Sequence, residues 1–193
     1  MIRMAQTEDL PAMLEIYAPY VLNTTATFEY TVPTEAEFSA RFADITRQFP
    51  WLVWEENGAV LGYAYASAPF TRAAYQWCAE PSIYLSPEIQ GKGIGRKLYL
   101  ALEQLLKQQG YRVLYALITQ ENLTSLAFHK KLGYTQIALL PDCGWKFDRW
   151  LGVVWMEKRQ NFVDFPSNTP VYIGDIVDSD QKLQDILAIL TLS

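Results

Sequence analysis

Three glycines between a short apolar strand and an amphipathic helix constrain this chain more than any other feature. The strand ends at Ser86-Pro87, and the helix begins close to the third glycine. The loop between them contains Gly91, Lys92, Gly93, Ile94, Gly95 and Arg96. Glycine lets the backbone turn sharply and approach a ligand, and the N–H groups at a helix N-terminus attract phosphate. The sequence therefore predicts a pyrophosphate-binding loop here.

Two common nucleotide-binding loops do not fit this spacing. A P-loop requires G-x-x-x-x-G-K-[ST], and here no Ser or Thr follows the lysine to hold magnesium. A dinucleotide-binding loop requires G-x-G-x-x-G at a tight strand-to-helix turn. This run is G-x-G-x-G and begins six residues after Leu85. Two interpretations of the loop are left: it binds a phosphate-bearing ligand of another kind, or it binds no ligand.

Several segments of the chain resemble one enzyme family. The run Q-G-K-G-I-G-R, after a strand ending in L-S-P, resembles the acetyl-CoA signature of the GCN5-related N-acetyltransferases (GNAT). The segment that starts at Asn122, N-L-T-S-L-A-F-H-K-K-L-G-Y, resembles the second CoA-contacting helix of that family. The segments A-T-F (26–28), F-P-W-L-V (49–53), R-A-A-Y-Q-W (72–77) and G-W-K-F (144–147) resemble its phosphinothricin and methionine sulfone/sulfoximine acetyltransferase branch. The resemblance covers roughly residues 2–158.

The resemblance implies an α/β fold with a mixed, mostly antiparallel sheet of six to seven strands and flanking helices. In this family two adjacent central strands splay apart and acetyl-CoA enters between them. Here those strands would be residues 77–85 and 112–118. Pro81, which cannot donate a hydrogen bond to a neighbouring strand, is consistent with a bulge or an edge at this point.

Local patterns favour the same order of elements. Thr34 and Glu37 form the sequence pattern of a capping box, which predicts the start of a helix. Asn57-Gly58 lies between two apolar runs and predicts a hairpin with a tight turn. Further strands are predicted near residues 134–139 and 150–157.

Residues 1–159 are predicted to form one acetyltransferase domain, followed by an acidic extension at 160–193. The extension holds five Asp and one Lys, a net charge of −4 out of −5 for the whole chain. Its apolar residues at helical spacing predict an amphipathic helix that packs on the body of the protein or on a second subunit. These residues are Leu183, Ile186, Leu187 and Leu190.

Acetyl transfer to an amine requires a proton acceptor, because an alkylammonium, with a pKa of about 10, has no free electron pair. Glu80 is the candidate base, and the resemblance indicates the same residue; the alternative is that Glu80 is a surface carboxylate without a catalytic role.

The resemblance also implies that the Leu85 N–H stabilises the oxyanion. Ile83, Tyr84 and Leu85 would follow the acetyl and pantetheine arm, residues 91–96 would hold the pyrophosphate, and Asn122 would contact the arm from the other side.

His129 is the only histidine and lies seven residues after Asn122, where many GNAT enzymes have a tyrosine. It is a candidate for protonating the leaving thiolate or for joining a proton relay from the amine. The alternative is that it packs at a helix edge without a catalytic role.

Three residues are predicted to bind the acceptor by resemblance to the same branch. Arg72 would bind a carboxylate, Tyr75 would lie beside it, and Phe28 would form an aromatic wall; Arg72 as a plain surface residue is the alternative. Where the branch has a further basic residue two positions before the arginine, this chain has Phe70. A bulkier or less anionic acceptor than phosphinothricin is compatible with that change.

The predicted function is acetyl transfer from acetyl-CoA to the primary amine of a small amino-acid-like compound, without a metal. Alternatives are a protein N-terminus, a polyamine or an aminoglycoside as acceptor, or a CoA-binding sensor without activity. Two cysteines and the absence of an apolar leader predict a cytoplasmic protein with reduced thiols. We expect no nucleic-acid or membrane partner, and the resemblance implies a homodimer.

Overall fold

The strands are β1 (Ile2–Met4), β2 (Trp51–Glu56), β3 (Ala59–Ser67), β4 (Cys78–Leu85), β5 (Val113–Thr119), β6 (Thr135–Lys146) and β7 (Arg149–Arg159). They form a seven-stranded mixed sheet in the order β1-β2-β3-β4-β5-β7-β6. The computed structural model describes residues 1–160 and 168–188. Among the described strands only β4 and β5 pair in parallel. The predicted fold class, a mixed and mostly antiparallel sheet with flanking helices, is confirmed.

Six α-helices accompany the sheet within the described residues: α1 (Leu10–Asn23), α2 (Glu35–Ile45), α3 (Ile94–Gln109), α4 (Leu123–Lys131), α5 (Ile173–Ile176) and α6 (Asp180–Ala188). The capping box that was predicted for α2 is present. The Glu37 N–H donates to the Thr34 hydroxyl at 3.2 Å, and the Thr34 N–H donates to the Glu37 carboxylate at 2.8 Å. These two bonds satisfy backbone donors that the first turn leaves without partners.

The sheet opens between β4 and β5, as the family resemblance implied. The two strands pair only at Cys78 with Val113 and at Ala79 with Leu114. β4 stays paired with β3 from Glu80 to Leu85. One edge of β4 therefore remains open beyond Ala79, and this opening positions the candidate site.

β6 and β7 are longer than predicted, and they form a hairpin whose turn is Phe147-Asp148, with φ of 52° and 55°. The sequence placed the end of β6 near residue 139, ahead of Pro141 and Gly144. An edge strand tolerates proline and irregular pairing because one side needs no ladder bonds. β6 lies at the edge, and its register with β7 shifts between Leu140 and Gly144.

The described part of the C-terminal extension packs on the body of the protein. Leu183 and Ile186 of α6 and Ile173 of α5 are buried in the same apolar cluster as the inward side of α3. The Gln184 side chain also donates to the Ile2 carbonyl at 2.9 Å. Leu190, the last residue of the predicted stripe, lies outside the described residues. The domain boundary after residue 159 stays a prediction.

Candidate active site

Glu80 lies on the face of β4 that points away from α3. Side chains alternate along a strand, and a Cβ added at Gly95 of α3 would lie 2.9 Å from Leu85 Cδ1 and 3.6 Å from Ile83 Cδ1. Glu80, Ser82 and Tyr84 therefore share the opposite face, where the Tyr84 ring contacts Tyr17 and Tyr20 of α1. Burial raises the pKa of Glu80 above its usual range, because the charged carboxylate loses contact with water. A carboxyl group of this kind is suited to accept a proton near neutral pH.

Backbone groups of β4 face the opening between β4 and β5. The Ser86 N–H donates to the Leu61 carbonyl on the β3 side at 2.8 Å. Since successive N–H groups of a strand point to alternate sides, those of Ile83 and Leu85 point to the open side. These two groups are within the segment that the sequence assigned to the acetyl arm.

Tyr20 already contacts one of these groups. The Leu85 N–H donates to the Tyr20 hydroxyl at 3.1 Å, and that hydroxyl donates to the Leu85 carbonyl at 2.7 Å. Any ligand that binds the Leu85 N–H has to replace the tyrosine as its acceptor. Tyr20 was not apparent from the sequence, since α1 carries two tyrosines on its apolar side and nothing in their spacing separates them.

The glycine loop has the geometry of an anion site. Gly91 and Gly93 have φ of 74° and 78°, the left-handed region that favours glycine. Gly93 precedes α3, and no side chain of the described residues caps this helix. Gly95 lets the helix approach β4 closely, because an added Cβ would lie 2.9 Å from Leu85 Cδ1. The helix N-terminus, with the exposed Lys92 and Arg96 beside it, fits a pyrophosphate group.

Asn122 lies at the end of β5, across the opening from β4. Its side-chain oxygen accepts a hydrogen bond from the Ser125 N–H at 3.0 Å, so that it caps α4. This contact fixes the N-terminus of α4 on the far side of the opening.

His129 is buried, and both of its ring nitrogens have partners. Nδ1 lies 2.8 Å from the Ser125 carbonyl, and Nε2 lies 2.9 Å from the Tyr99 hydroxyl. A carbonyl can only accept, so Nδ1 carries the proton and Nε2 accepts from Tyr99. Burial also lowers the pKa of His129, which favours the neutral ring. In this arrangement His129 joins α4 to α3 through the buried Tyr99.

The β6–β7 hairpin holds the segment that carries Phe28. The ammonium of Lys146, which is 3% exposed, donates to the carbonyls of Thr24 at 2.8 Å and of Thr27 at 2.7 Å. The Phe28 ring lies against Gly144, where an added Cβ would be only 2.2 Å from Cε2 of the ring. Sequence analysis identified G-W-K-F by resemblance but assigned no role to its lysine.

A second contact to the same segment comes from the end of β5. The Thr25 hydroxyl donates to the Glu121 carboxylate at 2.8 Å, and Arg149 pairs with both oxygens of that carboxylate. Sequence analysis also missed Glu121, whose neighbour Asn122 carried the recognisable pattern. The predicted aromatic wall is thus held from two sides.

Arg72 and Tyr75 lie in the short segment before β4. Arg72 precedes a 3-10 turn at Ala73–Tyr75. Its side chain is exposed and forms no ion pair with any residue that the structure describes. The Tyr75 ring lies 4.7 Å from the ring of Phe70, centroid to centroid.

Within residues 1–160 and 168–188, no group of three or more His, Cys, Asp and Glu side chains could hold a metal ion. Over the same ranges no helix has both the length and the apolar character needed to cross a membrane. Cys78 and Cys143 are free thiols.

Comparisons with known proteins point to one family. The acetyltransferase (GNAT) domain family matches residues 2–155. The chain is 38% identical over 165 residues to a phosphinothricin N-acetyltransferase of Alcaligenes faecalis, covering 84% of each chain. It is also 38% identical over 157 residues to an L-methionine sulfoximine/L-methionine sulfone acetyltransferase of Salmonella typhimurium, covering 81% of this chain and 92% of that one.

A solved structure shares the fold over most of its length. A GNAT phosphinothricin acetyltransferase from Sinorhizobium meliloti, in complex with acetyl-CoA, superposes with a TM-score of 0.82 at 40% sequence identity. The match covers 89% of this chain and 92% of that one.

Proposed function

Since this chain belongs to the GNAT acetyltransferase family and is an acetyl-CoA-dependent N-acetyltransferase, we propose that it acetylates the primary amine of a small amino-acid-like compound. Phosphinothricin and methionine sulfone or sulfoximine are the acceptor types named for its relatives. The observation that carries the proposal is a partly buried carboxyl group, Glu80, with a raised pKa at the open edge of β4.

Glu80 acts as the general base in this proposal. The amine arrives mainly as an ammonium ion, which cannot attack a thioester until it loses a proton. A carboxylate whose pKa is raised by burial is a better proton acceptor than an exposed one. Its side chain lies on the face opposite α3, and Phe28, Arg72 and Tyr75 would bind the acceptor beside it.

Acetyl-CoA, when bound, supplies the acetyl thioester. Residues 91–96 would hold its pyrophosphate, and Ile83, Tyr84 and Leu85 would follow its arm, with Asn122 on the other side. The Leu85 N–H would donate to the oxyanion, after the Tyr20 hydroxyl has released it.

In this proposal His129 exchanges protons with the Tyr99 hydroxyl and does not contact the thiolate directly. The thiolate leaving group has a pKa near 8.5 and needs only modest acid assistance. Tyr99 donates to His129 at 2.9 Å, so a proton that reaches or leaves Nε2 would pass through the tyrosine hydroxyl.

Replacing Arg72 by Ala should raise KM for amines that carry a carboxylate by about 10- to 100-fold, the usual cost of losing a charge-assisted hydrogen bond. The Kd for acetyl-CoA should not change. Initial rates of free-thiol release give the KM for the amine, and cofactor titration gives the Kd for acetyl-CoA. The control is Arg47→Ala, since the Arg47 side chain is 78% exposed on the turn after α2. Equal KM values for the Arg72 variant and the wild type would contradict the substrate-binding role.

We also propose a homodimer. β6 is an edge strand that exposes Ile137, Leu139 and Leu140, and exposed apolar edge strands tend to pair with other chains. Light scattering after size exclusion should give the mass of a dimer at micromolar concentration, and Ile137→Lys should lower the dimer fraction. A monomeric wild type would contradict the proposal.

A further inference from the structure

The Tyr20 hydroxyl uses all of its hydrogen-bonding capacity at the end of β4. It donates to the Leu85 carbonyl at 2.7 Å and accepts from the Leu85 N–H at 3.1 Å. It also accepts from the side-chain amide of Gln90 at 3.2 Å. A phenol has one proton to donate and two lone pairs to accept with. These three bonds therefore leave the hydroxyl no capacity for a further partner.

This hydroxyl takes the place that a neighbouring strand would have at Leu85. The N–H and the carbonyl of one residue point to the same side of an antiparallel strand. β3 pairs with β4 as far as Leu85 on one side, whereas β5 pairs with β4 only at Cys78 and Ala79 on the other. Tyr20 thus satisfies two backbone groups that β5 leaves unpaired. The arm of acetyl-CoA contains amide groups, which need the same kind of donor and acceptor.

The ring of Tyr20 has room to move away from Leu85. A cavity of about 440 Å³ lies between α1 and the neighbouring ends of β3 and β4, and Tyr20 forms part of its wall. Apolar side chains such as Ile16, Pro19 and Leu61 line it as well. The apolar lining suits an aromatic ring, so the cavity can take up the side chain when the hydroxyl leaves the strand.

Few other contacts fix the ring or its helical turn. The ring makes an edge contact with Tyr84, at 5.1 Å between centroids, and Tyr84 keeps a contact of the same kind with Tyr17 at 4.8 Å. Pro19 lies inside α1 and has no N–H to donate to the Glu15 carbonyl. The last turn of α1, which carries Tyr20, is therefore held by fewer backbone bonds than an uninterrupted helix.

We propose that Tyr20 competes with acetyl-CoA for the Leu85 backbone and thereby sets the affinity for the cofactor. Its hydroxyl holds the two backbone groups until the acetyl arm binds them, and the ring then turns into the cavity. Tyr20 is a positioning residue in this scheme, because it acts through Leu85. The inference rests on the proposed function, which places the acetyl arm along β4.

Replacing Tyr20 by Phe tests the competition, since this change removes the hydroxyl and keeps the ring. The Kd for acetyl-CoA, measured by isothermal titration calorimetry, should fall about 5- to 100-fold, the net effect of two hydrogen bonds that no longer oppose binding. The KM for the amine should stay the same. A tyrosine that only stabilised the fold would give an unchanged or a higher Kd.

Tyr30→Phe is the matched control. The Tyr30 hydroxyl also donates to a backbone carbonyl, that of Trp145 on β6, at 2.6 Å. Its removal deletes the same group and a comparable bond without touching β4. This variant should keep the wild-type Kd for acetyl-CoA, and a Kd that falls as in the Tyr20 variant would overturn the proposal.

A second measurement follows the Tyr20 ring in the protein with its natural hydroxyl. In protein labelled with 3-fluorotyrosine, the ¹⁹F resonance that is lost in Tyr20→Phe belongs to Tyr20. Saturating acetyl-CoA should shift this resonance, and the resonance of Tyr172, an exposed residue of the C-terminal extension, should stay in place. The Tyr172 resonance is assigned in the same way from Tyr172→Phe.

A Kd that is unchanged or higher in Tyr20→Phe, or a Tyr20 resonance that acetyl-CoA does not move, would overturn the competition and leave the acetyltransferase function standing. A wild type that binds no acetyl-CoA would contradict the proposed function together with the inference.

Discussion

Replacing Glu80 by Gln is expected to lower kcat by about 10²- to 10⁴-fold, the usual contribution of a general base. The amide has nearly the same shape but cannot accept the proton of the ammonium, so the Kd for acetyl-CoA should stay the same. Single-turnover rates and cofactor titration measure the two quantities separately. Glu56→Gln is the control, because Glu56 is an exposed carboxylate at the end of β2. Unchanged turnover would contradict the base assignment and favour proton transfer through water.

The pH dependence of kcat/KM in the wild type should show the titration of Glu80. Only the deprotonated carboxylate accepts a proton, and burial raises the pKa of Glu80. Activity should therefore fall as pH drops through a pKa above that of an ordinary glutamate, and the loss should start at a higher pH than for an exposed carboxyl. The Gln variant should lack this acid limb of the kcat/KM profile. An identical acid limb in both proteins would assign it to another group.

Replacing Gly144 by Ala is expected to raise KM for the amine by about tenfold or more, because a shift of about 1 Å in a positioning group has effects of that order. The new Cβ would lie 2.2 Å from Cε2, 2.5 Å from Cζ and 2.9 Å from Cδ2 of Phe28. The ring has to move, and overpacking of this kind costs about 1–3 kcal/mol of stability. Steady-state kinetics and thermal unfolding measure both effects.

Gly174→Ala is the matched control for that change. Gly174 lies in α5, and a Cβ there would have no neighbour within 4 Å. This variant should keep wild-type KM and stability. A Gly144 variant with wild-type amine KM would show that the position of Phe28 does not matter for the acceptor.

The sequence predicted the glycine loop and the order of the elements because each depends on neighbours in the chain, whereas the opening between β4 and β5 was implied by the family resemblance. Gly91 to Arg96 follow one another directly, and the capping box of α2 spans four residues. The length of β6 was predicted wrongly, since edge pairing overrode the local signals of Pro141 and Gly144. Local patterns carry no information on which strand lies at an edge.

What the sequence by itself determined, through its resemblance, is the family. It also nominated residues 91–96 as the acetyl-CoA loop and Glu80 as the base, and both assignments stay predictions. Only the tertiary structure revealed that Tyr20 holds the Leu85 backbone, that His129 is bonded at both nitrogens, and that Lys146 supports the Phe28 segment. These contacts join residues far apart in the chain: 65 positions separate Tyr20 from Leu85, and 119 separate Lys146 from Thr27. Such pairs meet only when the sheet and its helices pack, because hydrogen bonds and close ring contacts depend on distances of a few ångströms that no local pattern encodes.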